Sequence, residues 1–175
     1  LTASPNLRLA AIAALGVLTC ILPSAANAGS GSTPVTVSAT VTQNCTISTT
    51  TNVGFGSYDP VTISGAVTTS GVVKVTCTKG ASGITLTLNG GGNSASATSP
   101  DTRAMKGATN ANYLSYDLYE DSGYATRFPV TAVSETVSGG ITTPTNITLY
   151  GKIKATAQDV AVDAYGDTVQ ATVNF

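Results

Sequence analysis

Two-residue alternation of apolar and polar side chains constrains this chain more than any other feature. Val73, Val75 and Cys77 share one face, with Lys74 and Thr76 on the other. Ile84, Leu86 and Leu88 alternate with Thr85, Thr87 and Asn89, and Leu114, Tyr116 and Leu118 alternate with Tyr113, Ser115, Asp117 and Tyr119. Ile147, Leu149 and Ile153 lie in step around Gly151, and Val169, Ala171, Val173 and Phe175 alternate with Thr168, Gln170, Thr172 and Asn174. Successive strand side chains point to opposite faces, so each run reads as a half-buried strand. Threonine, valine and tyrosine suit that pleated surface. Between the runs lie turn clusters such as Gly54–Pro60, Lys79–Gly83, Asn89–Asn93, Asp121–Gly123 and Ser138–Gly140. Short strands at this spacing, punctuated by glycine and asparagine, predict an all-β sandwich.

The same alternation occurs once more, far upstream. In Thr33–Gln43, Val35, Val37, Ala39 and Val41 form one edge, and Thr36, Ser38, Thr40 and Thr42 form the other. Such a segment needs a core for its apolar edge. Alternation leaves open whether that core is its own or a neighbour's.

Residues 1–28 read as a secretory leader. Arg8 precedes an apolar run from Leu9 to Leu22, Pro23 breaks it, and Ala26-Asn27-Ala28 is a small-x-small cleavage signal before Gly29. The run is too short to span a bilayer comfortably. Cys20 lies inside it, and Thr19 before it and Ile21-Leu22 after it fit a lipid-anchor site poorly, so Cys20 is expected to leave with the leader. No later run is long enough to cross a membrane, so no transmembrane segment is expected.

The expected mature chain keeps Cys45 and Cys77, and an exported protein allows them to pair as a disulfide. The chain holds no histidine, and two thiolates cannot complete a tetrahedral metal site. Closing the loop between them is expected to stabilise the fold by roughly 3–4 kcal/mol.

The same inventory removes most chemistry. Without histidine there is no Ser-His-Asp or Cys-His centre. Glu120-Asp121 abuts a glycine turn, where solvated acids are the ordinary reading. Asp159, Asp163 and Asp167 lack the dense Asp/Asn alternation of a calcium loop. Gly90–Gly92 has neither a lysine nor a following helix pattern, so it is no phosphate cradle. Net charge is −1, and no basic stripe is interleaved with aromatics, so nucleic acid is not an expected partner. Tyr113 and Tyr119 are either a contact surface or, the more ordinary outcome, aromatic cover for a sheet face. No enzyme, metal or cofactor is expected.

The order of motifs is more specific than any one of them. Gly54-Phe55-Gly56-Ser57-Tyr58-Asp59-Pro60 follows a cysteine. Then come Val75-Thr76-Cys77, Leu88-Asn89-Gly90-Gly91-Gly92, Arg103-Ala104-Met105 and Leu114-Ser115-Tyr116-Asp117-Leu118-Tyr119. The close is Leu149-Tyr150-Gly151-Lys152-Ile153, Tyr165-Gly166-Asp167-Thr168-Val169 and Thr172-Val173-Asn174-Phe175. This order resembles the spore coat protein U domain family, which includes subunits of archaic, Csu-type chaperone–usher pili. Arg127-Phe128-Pro129 and Lys154-Ala155-Thr156-Ala157 stand where many members carry a tryptophan-glycine and a proline-glycine.

The resemblance implies an immunoglobulin-like β-sandwich that is incomplete, missing its last strand, over residues 44–175. It implies that residues 29–43 are an N-terminal donor-strand arm. Val35, Val37, Ala39 and Val41 would enter a neighbouring subunit's groove, beside the acceptor strand carrying Val169, Ala171, Val173 and Phe175. The expected partners are identical or related subunits, a periplasmic chaperone and an outer-membrane usher. The expected location is the surface of a Gram-negative bacterium, reached through the periplasm, with a part in attachment and biofilm formation. A chain stopping at Phe175, on the last apolar position of a strand, agrees with that expectation. The rival readings are a spore-coat or matrix protein of the same fold, and a monomeric secreted carbohydrate-binding module in which Thr33–Gln43 is the sandwich's own first strand.

Overall fold

The computed structural model describes residues 28–130 and 140–175, and the backbone of 135–137. The expected leader, residues 1–28, therefore lies outside the described residues except for Ala28. The chain divides into Leu1–Ala39 and Thr40–Phe175, and every strand among the described residues falls in the second unit.

Those strands are β1 (Cys45–Thr51), β2 (Val67–Cys77), β3 (Ile84–Leu88), β4 (Arg103–Gly107), β5 (Tyr113–Tyr119), β6 (Glu135–Val137), β7 (Thr145–Ile153), β8 (Tyr165–Gly166) and β9 (Ala171–Asn174). A single 3₁₀ turn, Ser94–Ser96, interrupts the loop between β3 and β4. One sheet runs β1-β2-β7-β5-β4-β8 and the other β6-β3-β9. Every pairing is antiparallel. The fold is the expected all-β, immunoglobulin-like sandwich.

Alternation explains which faces meet. On β2, Val73, Val75 and Cys77 are buried while Lys74 between them is exposed. β3 buries Ile84, Leu86 and Leu88, and β7 buries Ile147, Leu149 and Ile153. These inner faces form one core with Leu114, Tyr116, Leu118 and Phe128. Burying a side chain of this size stabilises the fold by about 1.5–3 kcal/mol relative to leaving it in water. Cys45 and Cys77 are disulfide-bonded across the register of β1 and β2, as their export context led one to expect.

Two elements depart from the strand pattern read from sequence. β5 is buried on both faces, because Ser115, Asp117 and Tyr119 are covered as fully as Leu114, Tyr116 and Leu118. Tyr119 is thus cover, packed edge-to-face on Tyr124. The run before Phe175 is shorter than its alternation, with Ala171–Asn174 as its strand. The chain pairs with β4 at Tyr165–Gly166, then crosses to the other sheet and pairs with β3 from Ala171. Asn89 marks the crossing, accepting at its side-chain oxygen from the Gln170 amide at 2.8 Å and donating its own amide to the Gln170 carbonyl at 3.0 Å.

Candidate functional site

β1 is the edge of the larger sheet and β9 the edge of the smaller. Among the described residues no strand lies between them, and a groove of about 720 Å³ opens there. Ile47, Thr49, Thr51, Val53 and Phe55 form one wall, and Tyr165, Asp167, Val169 and Ala171 form the other. The floor is core: Val73, Leu88, Leu118 and Leu149. A second lobe of about 630 Å³ continues past Phe55 toward Tyr58 and Val160–Ala164. The two lobes share Val53, Phe55, Met105 and Tyr165, which form a waist.

Local sequence explains why the walls stand where they do. β1 carries a bulge between Thr49 and Thr51, after which the chain leaves the ladder yet keeps Val53 and Phe55 turned inward. Bulges bend a strand and re-aim its side chains. Gly71 on β2 and Gly151 on β7 make room beneath. A Cβ at Gly151 would come within 2.7 Å of Val53 and 2.9 Å of Phe55, and one at Gly71 within 2.7 Å of Val53. On the opposite wall every second residue from Tyr165 to Val173 turns inward and is only half-buried. In a complete sandwich such positions are covered by a further strand.

The far wall is braced from below. Tyr116 donates to Asp167 Oδ2 at 2.7 Å, and the Gly92 amide donates to Oδ1 at 2.9 Å. Burial pushes the Tyr116 hydroxyl well above its ordinary value, so it remains a donor. Asp163, at the second lobe, accepts the Thr109 amide at 2.7 Å and the Asn110 side-chain amide at 2.8 Å, and the Thr109 bond leads in holding its carboxyl below the usual range. Asp163 and Asp167 are therefore occupied in tying loops, and no cluster of metal-ligating residues exists among the described residues.

The expected site residues distribute as follows. Val169 and Ala171 line the groove. Val173 is the next inward position, opposite Leu86 on β3, and Phe175 lies just beyond β9 with 54% of its surface exposed. Residues 28–44 lie outside every strand, and Val35, Val37 and Val41 are 80%, 90% and 81% exposed. Ala39 is exposed as well. The sequence reading missed the near wall. The signal was present, since Ile47, Val53 and Phe55 continue the odd-numbered parity of the arm, but Thr49, Thr51 and the glycines at 54 and 56 obscured it. No helix among the described residues is long and apolar enough to cross a membrane.

Two sheets whose edges β1 and β9 are unjoined across a groove floored by buried core residues define the class: an all-β, immunoglobulin-like sandwich. The Spore Coat Protein U domain matches residues 32–172. Protein U of Myxococcus xanthus is 32% identical over 127 residues, which is 69% of this chain and 70% of that protein. The chain belongs to the Spore Coat Protein U domain family. Its fold is also similar to a chain in the chaperone–tip adhesion subunit pre-assembly complex from archaic chaperone–usher Csu pili of Acinetobacter baumannii. The TM-score is 0.53 at 24% identity, over 78% of this chain and 40% of that one. That likeness is one of fold.

Proposed function

We propose that this protein is a structural subunit of a surface pilus, assembled by the chaperone–usher route through donor-strand complementation. The observation that carries the reading is the groove between β1 and β9, whose floor is the hydrophobic core. A groove of this shape takes an extended strand: main-chain bonds to the sheet edges supply affinity, and alternate side chains fill pockets. The arm of a second copy has the matching form, with Val35, Val37, Ala39 and Val41 on one edge. Burying those four side chains would stabilise the junction by roughly 4–6 kcal/mol, before the ladder bonds and the ordering cost.

An arm in the next subunit's groove is a head-to-tail contact that does not close, so it propagates a fibre. Before assembly the same groove needs a temporary strand. A periplasmic chaperone would supply it and an outer-membrane usher would exchange it for the arm. The exposed fibre would serve attachment and biofilm formation.

The family's description favours a second reading, in which the same joint builds a spore coat or matrix. Electron microscopy of the assembled protein separates the two, since a pilus is a discrete filament and a coat is a continuous layer. The joint itself is tested by purifying the mature chain, alone and with residues 29–43 removed. The intact chain is expected to oligomerise or require a chaperone. The truncated chain should stop growing yet accept an added peptide of residues 33–43. A folded monomer that loses its stability on truncation would instead identify Thr33–Gln43 as the sandwich's own strand.

A further inference from the structure

The root of the arm is fastened to the body of the domain, in a direction that bears on which groove the arm can reach. The Thr78 amide donates to the Asn44 carbonyl at 2.8 Å, extending the β1–β2 ladder one residue beyond the Cys45–Cys77 pair. The Thr78 hydroxyl accepts the Asn44 amide at 3.1 Å and lies 3.2 Å from the Thr42 carbonyl, to which it donates. Gln43 grips the turn between β2 and β3 with both ends of its amide: Nε2 donates to the Ser82 carbonyl at 3.1 Å, and Oε1 accepts the Ser82 amide at 3.4 Å. That turn is itself set by the Ala81 amide donating to Thr78 at 3.0 Å and by positive φ at Gly80 and Gly83. Thr42–Asn44 thus run on past the end of β2, whereas the groove begins at Ile47, on the other side of the disulfide.

This direction matters because of tethering. An arm joined to its own domain faces its own groove at an effective concentration in the millimolar range, far above that of a second copy. It would win unless geometry forbids the return. To enter its own groove the arm must turn back toward Ile47, whereas the bonds of Gln43 and Thr78 hold Thr42–Asn44 on a course past the end of β2. A turn close enough to Cys45 to lay Val41 beside β1 would break them.

We propose that Gln43 and Thr78 form a clamp that denies the arm its own groove and so reserves the groove for a strand from another molecule. The proposal rests on the groove reading above and adds to it a device that acts against self-closure.

The test uses the mature chain, a Gln43→Ala/Thr78→Val variant, a Thr78→Ser control that keeps the hydroxyl, and a synthetic peptide of residues 33–43 as probe. The double variant is expected to close on itself. Its capture of the peptide should fall at least tenfold, and light scattering should report monomers where the parent forms chains. Thr78→Ser should behave as the parent does. With residues 29–41 deleted, the double variant should again capture the peptide as well as the equally truncated parent, which shows that its groove is intact. If the full-length double variant captures peptide and grows chains like the parent, while both truncated forms bind the peptide, the clamp is overturned and the groove reading stands. If neither truncated form binds the peptide, the groove reading fails and takes the clamp with it.

Discussion

The two flanks of the sandwich are closed by different means. Outside the lining of the groove, loops are sealed by buried polar side chains. Arg103, fully buried, donates to the Asn89 carbonyl through Nε and Nη2 and to the Phe128 carbonyl through Nη1, the last at 3.1 Å. Asp117, 1% exposed, accepts the Thr102 amide and hydroxyl on one oxygen and meets Arg127 Nε at 3.0 Å on the other. Gln158 pairs with Ser115 through both ends of its amide. On the groove flank, the apolar inward positions Ile47, Val53, Phe55, Val169 and Ala171 are half-buried. Polar partners specify one arrangement and are costly to leave unmade. Apolar walls accept any strand of the right pattern. One region is closed by specific polar partners of the chain itself, and the other is a groove lined largely by apolar side chains.

This contrast can be broken most forcefully at Arg103. Arg103→Met should cost about 3–5 kcal/mol, because buried carbonyls lose their donors and a buried ion leaves Tyr116, Asp117 and Asp167 without its field. Denaturant unfolding of the truncated chain measures it. Next in size is the disulfide. Cys45→Ala with Cys77→Ala should lose about 3–4 kcal/mol, and should also weaken peptide capture, since β1 is a groove wall.

Smaller effects sharpen the distinction. Gly151→Ala should cost about 1–3 kcal/mol by driving Val53 and Phe55 outward, an overpacking that falls on the groove wall. Ala171→Trp should leave the unfolding midpoint nearly unchanged, because its side chain enters empty groove, yet abolish capture of the arm peptide in calorimetry. The reverse pairing, lost stability with intact capture, would mean that Ala171 faces core rather than groove.

Acid should act with opposite sign at the two flanks. Asp163 has its carboxyl held low by the Thr109 amide first, so its contribution is present above the ordinary carboxylate range and fades as pH falls through the depressed value. Asp117 is raised by burial, against the pull of Thr102, so its charged form burdens the fold at neutral pH and acidification relieves that burden. Unfolding midpoints of Asp163→Asn against the parent should differ steadily near neutrality and converge below about pH 4. For Asp117→Asn the gap should change in the other direction.

Strands with one buried face were legible in the sequence because their period is strict, as at Val73–Cys77, Ile84–Leu88 and Ile147–Ile153. β5 was legible as a strand but not as a doubly covered one, since Ser115 and Asp117 look like surface residues until Gln158, Thr102 and Arg127 are brought to them. The passage of the chain from one sheet to the other near Asp167–Gln170 leaves no break in alternation, and so no trace. The alternating strand at Val169 and Ala171 was readable from parity, its expected place beside a groove only from the family resemblance, while the near wall was hidden by the polar Thr49 and Thr51. Long-range side-chain bonds, such as Gln43 to Ser82 and Tyr116 to Asp167, have no periodic signature at all.

The position of the disulfide has a mechanical consequence. Coming from the N-terminal side, a pull meets the hydrogen bonds of Thr42, Gln43 and Asn44 first and then a covalent bond at Cys45, ahead of the β1–β2 pairs from Thr46 onward. β1, an edge strand that could otherwise be unzipped bond by bond, cannot be peeled from that end. The load passes into β2, which is flanked by β1 on one side and by β7 along its length on the other. Tension applied at that end therefore enters the interior of the sheet through Cys77.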